Sequence, residues 1–185
     1  MVNINKQKLT RLQEDLLRVL FKRAGASLNQ RQIASILNVT PPAIIKAVPL
    51  LKKLDYIAVN KSKETKRFSI ELNKNNYKIM QLKRVDNLKQ IYESGFADYL
   101  EKEFAGGTII LFGSYSRGDD LINSDIDIAI IERKEKEISL INYEKILERK
   151  INLNFYDSFE KIHKNLKENL ANGIVLFGGF ELWEQ

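Results

Sequence analysis

The stretch LFGSYSRGDDLINSDIDIAI, residues 111–130, decides how the second half of this chain folds. The run TIILF at 108–112 is β-branched or aromatic almost throughout, the composition of a strand covered on both faces. Gly113 breaks that run. Ser114 then stands at a strand-to-helix turn, where free backbone N–H groups and a small hydroxyl suit a phosphate, and Gly118 lets the following segment turn away. A second strand resumes at INSDIDIAII. Side chains alternate along it, so Asp125, Asp127 and Ala129 take one face while Ile126, Ile128 and Ile130 take the other. The two carboxylates therefore project together, about 6.7 Å apart along the backbone. Paired anions of this kind are unfavourable unless positive charge sits between them. Mg²⁺ (or Mn²⁺) answers that need, because it binds carboxylates together with substrate phosphates, and a pair of such ions stabilises a leaving pyrophosphate. A phosphate cradle beside a carboxylate pair describes a site for a nucleoside triphosphate.

The elements taken together, Gly113, Ser114, Arg117, Gly118, Ser124, Asp125 and Asp127, closely resemble the signature of the polymerase-β-like nucleotidyltransferase superfamily: Gly-Ser, a spacer with Arg-Gly, then Ser-Asp-x-Asp. The resemblance is strongest to the minimal nucleotidyltransferases of archaea and bacteria and covers about residues 88–182, including a closing NGIVLFG similar to the family's final strand. It implies that Gly113, Ser114, Arg117 and Ser124 bind the nucleotide, that Asp125 and Asp127 are catalytic and hold Mg²⁺, and that the transferred group is a nucleotide, adenylate from ATP being expected. Members of this type often act as antitoxins that modify a toxin encoded nearby, so the acceptor, protein or nucleic acid, is left open.

The chain departs from that pattern at one position. Active members carry a third carboxylate on a later strand, and the candidate strand KINLNFYD alternates Ile151, Leu153 and Phe155 with Asn152, Asn154 and Tyr156. Asn152 stands where the aspartate is expected. An amide oxygen can ligate a metal but takes no proton at neutral pH, so transfer would be slowed while nucleotide binding survived. An enzyme that transfers nucleotides and a regulator whose altered domain senses a nucleotide or dimerises both stay open on this evidence. Arg117 reaches a phosphate or pairs with Asp119, and Asp119 and Asp120 read as helix-side or loop charges.

The 185 residues contain no cysteine and one histidine, which excludes disulfides, thiolate metal sites and an imidazole cluster. No apolar run approaches the ~20 residues that span a bilayer, so a cytoplasmic protein without membrane contact is expected. The net charge of +6 conceals an asymmetry: residues 1–85 hold 18 Lys and Arg against 5 Asp and Glu, a surplus of 13, and the remainder is acidic by 7. A basic half suggests a polyanion, and an acidic half that binds phosphates needs divalent cations.

In the basic half, Leu9, Leu12, Leu16, Val19 and Leu20 have helical spacing up to Gly25. Asn29 caps a short helix carrying Ile33, Ile36 and Leu37, and Thr40 caps another with Pro41 at its first position. Ile44, Ile45, Val48 and Leu51 form the inner side of that second helix, which Pro49 should bend. The tight join is the pattern of a helix-turn-helix. Strands at 56–59 and 68–72 then flank a basic turn. Three helices and a hairpin in this order resemble a winged helix-turn-helix DNA-binding domain. The resemblance implies contacts to double-stranded DNA from Pro42, Ala43, Lys46 and Lys53 on the second helix and from Lys61, Lys63, Lys66 and Arg67 on the hairpin, in a possible twofold homodimer.

Between the halves, Leu88, Ile91, Tyr92, Phe96, Tyr99, Leu100 and Phe104 predict one amphipathic helix with Gly95 on its apolar stripe. The segment 158–173 predicts a helix capped by Ser158, and Trp183 is expected to staple the tail. The fold expected is α+β: a winged helix-turn-helix domain at 1–74, a linker and connecting helix at 75–107, and a small nucleotidyltransferase-fold domain at 108–185 with a mixed sheet flanked by helices.

Overall fold

The computed structural model describes residues 8–61 and 68–179. It divides into two compact units, Met1–Ile79 and Met80–Gln185.

The first unit opens with α1 (Arg11–Lys22), closed by a capping box in which Thr10 and Gln13 satisfy one another's backbone N–H groups. A short strand β1 (Leu28–Asn29) leads into α2 (Gln30–Leu37), where Asn29 and Gln32 form a second capping box. Asn38 adopts a left-handed conformation (φ 52°) and ends α2. The next helix, α3 (Pro41–Lys53), is bent from α2 by 107°, the angle of a helix-turn-helix. Thr40 occupies the N-cap position of α3 without a side-chain bond, contrary to the capping expected of it. Pro49 lies within this helix, which continues through it to Lys53 rather than stopping. Strands β2 (Ile57–Lys61) and β3 (Phe68–Leu72) pair antiparallel, and β1 joins the other edge of β3 to give the order β1-β3-β2. That three-stranded sheet behind three helices is the winged-helix arrangement. Leu16, Leu20, Ile33, Ile44, Leu51 and Ile70 are buried as its core. Ile45 is not, although its spacing beside Ile44 suggested an inward face.

The chain leaves this unit through α4 (Tyr77–Glu93), which starts within the segment the sequence suggested was a polar link. The single long helix expected from residue 88 to 104 is in fact two, because Gly95 turns left-handed (φ 73°) and caps the start of α5 (Phe96–Glu103). An added Cβ on Gly95 would meet nothing within 4 Å, so the residue supplies a turn and not a close approach.

In the second unit β4 (Thr108–Phe112) is central. It leads into a single helical turn, α6 (Gly113–Arg117), and then to β5 (Ile126–Ile131). The helix α7 (Ile141–Leu147) crosses over to β6 (Ile151–Tyr156), and α8 (Lys164–Ala171) precedes β7 (Ile174–Phe177). The sheet order is β6-β5-β4-β7, with β5 and β6 parallel and the other pairs antiparallel. The α8 helix begins at Lys164 after a turn, later than the Ser158 cap predicted, yet Ile162 and Leu170 are buried as expected.

Strand alternation splits the apolar side chains into two layers. Ile109, Leu111, Ile126, Ile128 and Ile130 pack with Ile91, Phe96, Leu100 and Leu147, while Ile110, Ala129 and Ile131 pack with Ile162 and Leu170 on the other side. Asp125 and Asp127 share the parity of the second layer.

Candidate functional site

Sheet register brings the candidate residues together. Asp127 pairs with Phe112 of β4 on one side and with Asn152 of β6 on the other. The amide nitrogen of Asn152 donates to Asp125 Oδ2 and to Asp127 Oδ1, each at 3.2 Å. Two carboxylates from one strand thus converge on a single polar atom from its neighbour. Asn152 is exposed, and Asp125 and Asp127 are half-buried, so the group opens to solvent.

Gly113 closes the site from the other side. Its φ is +74°, and an added Cβ would stand 2.6 Å from Asp127 Oδ2. The positive φ favours glycine here, and an added methyl would also force the Asp127 carboxylate to shift. Gly113→Ala is expected to destabilise the second unit by about 1–3 kcal/mol, read as a lower urea midpoint; an unchanged midpoint would contradict the packing described. Ser114 follows in α6, where Ser116 Oγ, and not that of Ser114, donates to the Gly113 carbonyl at 2.9 Å. The Ser124 hydroxyl accepts from the Leu121 N–H at 2.9 Å and closes the turn that leads into β5. Its observed partner is therefore the backbone. Arg117 pairs with Asp119 at 3.2 Å on the surface, one of its two expected roles.

Asp120 is not the solvent charge that a helix-side or loop position suggested. It is buried, ion-paired with Lys83 of α4, bonded to Asn87 at 2.7 Å and 3.5 Å from Arg149. Burial pulls the Lys83 ammonium below the usual lysine range, and Asp120 opposes that shift. The same helix α4 binds the end of α6: Asn87 donates to the Tyr115 carbonyl and Arg84 to the Ser116 carbonyl, both at 2.9 Å. Gly118 (φ +81°) permits this approach, since a Cβ there would fall 2.8 Å from the Arg84 backbone nitrogen. Burial, followed by the charge of Asp120, raises the Tyr115 phenol above its ordinary value. None of Lys83, Arg84, Asn87 or Arg149 was singled out from sequence.

A cleft of about 420 Å³ reaches Asp125 and is lined by Asn123, Ser124, Glu144, Arg149 and Lys150 among others, though not by Gly113 or Ser114. It mixes cations and carboxylates and has room for a polar ligand. Tyr156, on the Asn152 face of β6 by parity, has its phenol raised by burial and then by Asp127.

The donor set fits a hard divalent cation. All the groups at the convergence point offer oxygen, two from carboxylates and one from the amide of Asn152 when it turns about its last torsion. Among the described residues no group of three His, Cys, Asp or Glu forms that could hold a metal. Asp125, Asp127 and Asn152 would be its ligands.

Among the DNA-binding candidates, Pro42, Lys46, Lys53 and Lys61 are exposed and Ala43 is half-buried. The Lys61 ammonium lies over the Phe68 ring at 5.6 Å. Lys63, Lys66, Arg67 and Trp183 lie outside the described residues. No single helix among the described residues is long and apolar enough to cross a membrane.

Comparison with known proteins bears on the family of the second unit. Residues 93–176 match the nucleotidyltransferase domain family, a narrower span than the 88–182 inferred from the motifs. No curated protein matches. Among solved structures the chain is similar to the S. aureus MepR–DNA complex (21% identity over 51% of this chain and 78% of that one, TM-score 0.38). It is also similar to the adhesin competence repressor AdcR of Streptococcus pyogenes (25%, 54% and 71%, TM-score 0.39) and to a ZitR variant of Lactococcus lactis (19%, 54% and 65%, TM-score 0.40). At these TM-scores the winged-helix assignment rests on the element order and sheet register of the first unit.

Proposed function

We propose that this protein is a DNA-binding regulator whose second unit binds a Mg²⁺-nucleoside triphosphate, ATP above all, and transfers its nucleotide to an acceptor. The observation that carries the reading is the convergence of Asp125 and Asp127 on one point beside Gly113. Bound there, Mg²⁺ would neutralise phosphate charge and polarise the phosphoryl oxygen. The chain's own residues do the rest. Asp125 and Asp127 hold the cation, Gly113 and Ser114 present backbone N–H groups and a hydroxyl to the phosphates, and the Ser124 turn fixes the start of β5. Arg117 can exchange Asp119 for a phosphate, as both are exposed. The acceptor is unassigned, and the cleft beside Asp125 gives it a place to dock.

The test is incubation of the chain with α-labelled ATP, Mg²⁺ and extract of its own cells. Labelled product is expected from the wild type and not from the Asp125→Ala, Asp127→Ala double variant. A second reading, nucleotide sensing without turnover, is favoured by Asn152, which offers the site a neutral amide and no base. Nucleotide that shifts DNA affinity with no labelled product would establish it.

The first unit would bind duplex DNA through α3 and the hairpin, supported by the 107° helix pair, the exposed Lys46, Lys53 and Lys61, and the surplus of 13 positive charges in residues 1–85. Six cationic contacts, counting Lys63, Lys66 and Arg67, give an expected slope of about −5 for log affinity against log salt. A slope near zero would remove the phosphate contacts from the reading.

A further inference from the structure

We infer that the outward face of α3 reads the C5-methyl groups of thymine in the major groove. Resting on duplex binding by the first unit, the inference goes on to name the chemistry that is recognised. Pro42, Ile45, Lys46 and Pro49 follow one another at spacings of three, one and three, which puts them on a single face of the helix. All four are exposed, Ile45 by 51%, while Ile44, Ala47 and Leu51 fill the core from the opposite face.

Such a face is unusual for reading polar base edges. Arg, Asn, Gln and the acids identify bases through donors and acceptors, and proline and isoleucine side chains carry neither. Of the four side chains in the stripe, Lys46 alone can donate a hydrogen bond. What apolar side chains can recognise in the major groove is the thymine methyl, which no other base presents there. The start of α3 leans the same way: Pro41 and Pro42 have no backbone N–H, so this end offers ring surface where most helices offer donors to a phosphate.

A protein partner would also cover an apolar stripe, but the surroundings favour a polyanion. The stripe is narrow, holds Lys46 beside Ile45, and is followed on α3 by the exposed Lys52 and Lys53. Lysines at its end would grip phosphates while Pro42, Ile45 and Pro49 lie against methyl groups. The sites chosen should therefore be rich in A·T pairs.

The experiment uses the full chain. Duplexes are selected by it from a random-sequence pool, and the tightest is resynthesised with deoxyuridine for thymidine, which deletes each methyl and leaves the hydrogen-bonding edges intact. Selected sites should be enriched in thymine, and the uracil duplex should bind roughly fourfold more weakly for each methyl contacted. Ile45→Ala should narrow that gap without changing the salt slope. Equal affinity for the thymine and uracil duplexes overturns the inference and leaves DNA binding standing. Failure to retain any duplex overturns the DNA-binding reading as well, so the two failures are told apart.

Discussion

If the second unit transfers nucleotides as proposed, Asn152→Asp will raise the rate by about 10²- to 10⁴-fold, the usual contribution of a positioned general base. The substitution installs a carboxylate opposite Asp127, at the register position where Asn152 now bonds both acids. It also removes two N–H donors and places three like charges together. In the absence of divalent cations the variant should therefore be less stable than the wild type, and Mg²⁺ or Mn²⁺ should abolish the difference. Single-turnover measurement with labelled ATP reads the rate, and thermal unfolding with and without Mn²⁺ reads the coupling. A variant equal to wild type in rate and indifferent to Mn²⁺ would mean that the three side chains do not share a cation. An Asn152→Ala control separates loss of the amide from gain of the charge.

Asp120→Ala will unfold the second unit or weaken it by about 3–5 kcal/mol, because it leaves Lys83 and Arg149 buried together without their shared anion. Lys83→Met should be much milder. It deletes one cation of similar volume and leaves Asp120 balanced by Arg149, while Asn87 still bonds the carboxylate. Charge balance makes the two substitutions unequal: Lys83→Met keeps the buried volume and leaves one cation facing Asp120, whereas Asp120→Ala leaves two buried cations without their shared anion. Urea unfolding followed by circular dichroism decides the matter, and Lys83→Met proving the worse of the two would overturn the assignment of Asp120 as the common partner. The consequence reaches the candidate site, because α4 also holds the Tyr115 and Ser116 carbonyls at the end of the turn that follows Gly113.

The parts of this molecule that obey a local period were legible in the sequence. Asp125 and Asp127 fall on one face because strand side chains alternate, and the same rule put Asn152 beside them once β5 and β6 paired in parallel. The Gly113 break could be read because glycine at a strand end has few other uses. The ionic group around Asp120 could not be read: its partners lie 37, 33 and 29 residues away, and a lysine in an amphipathic helix looks like a solvent charge until the helix is docked. Gly95 is ambiguous for a related reason: a glycine on an apolar stripe fits the middle of one helix as well as a left-handed turn between two, and only backbone geometry distinguishes them. Ile45 lies next to Ile44 in a helix whose apolar residues extend around most of its girth, so periodicity could not say which of the two faced inward.

The most direct test of the account is calorimetric titration of Mg²⁺-ATP into the full chain, alongside the Asp125→Ala, Asp127→Ala double variant. Saturable heat from the wild type that vanishes in the variant is the expected result. Heat that is absent from the wild type, or that persists undiminished in the variant, would contradict a nucleotide site built on these two aspartates.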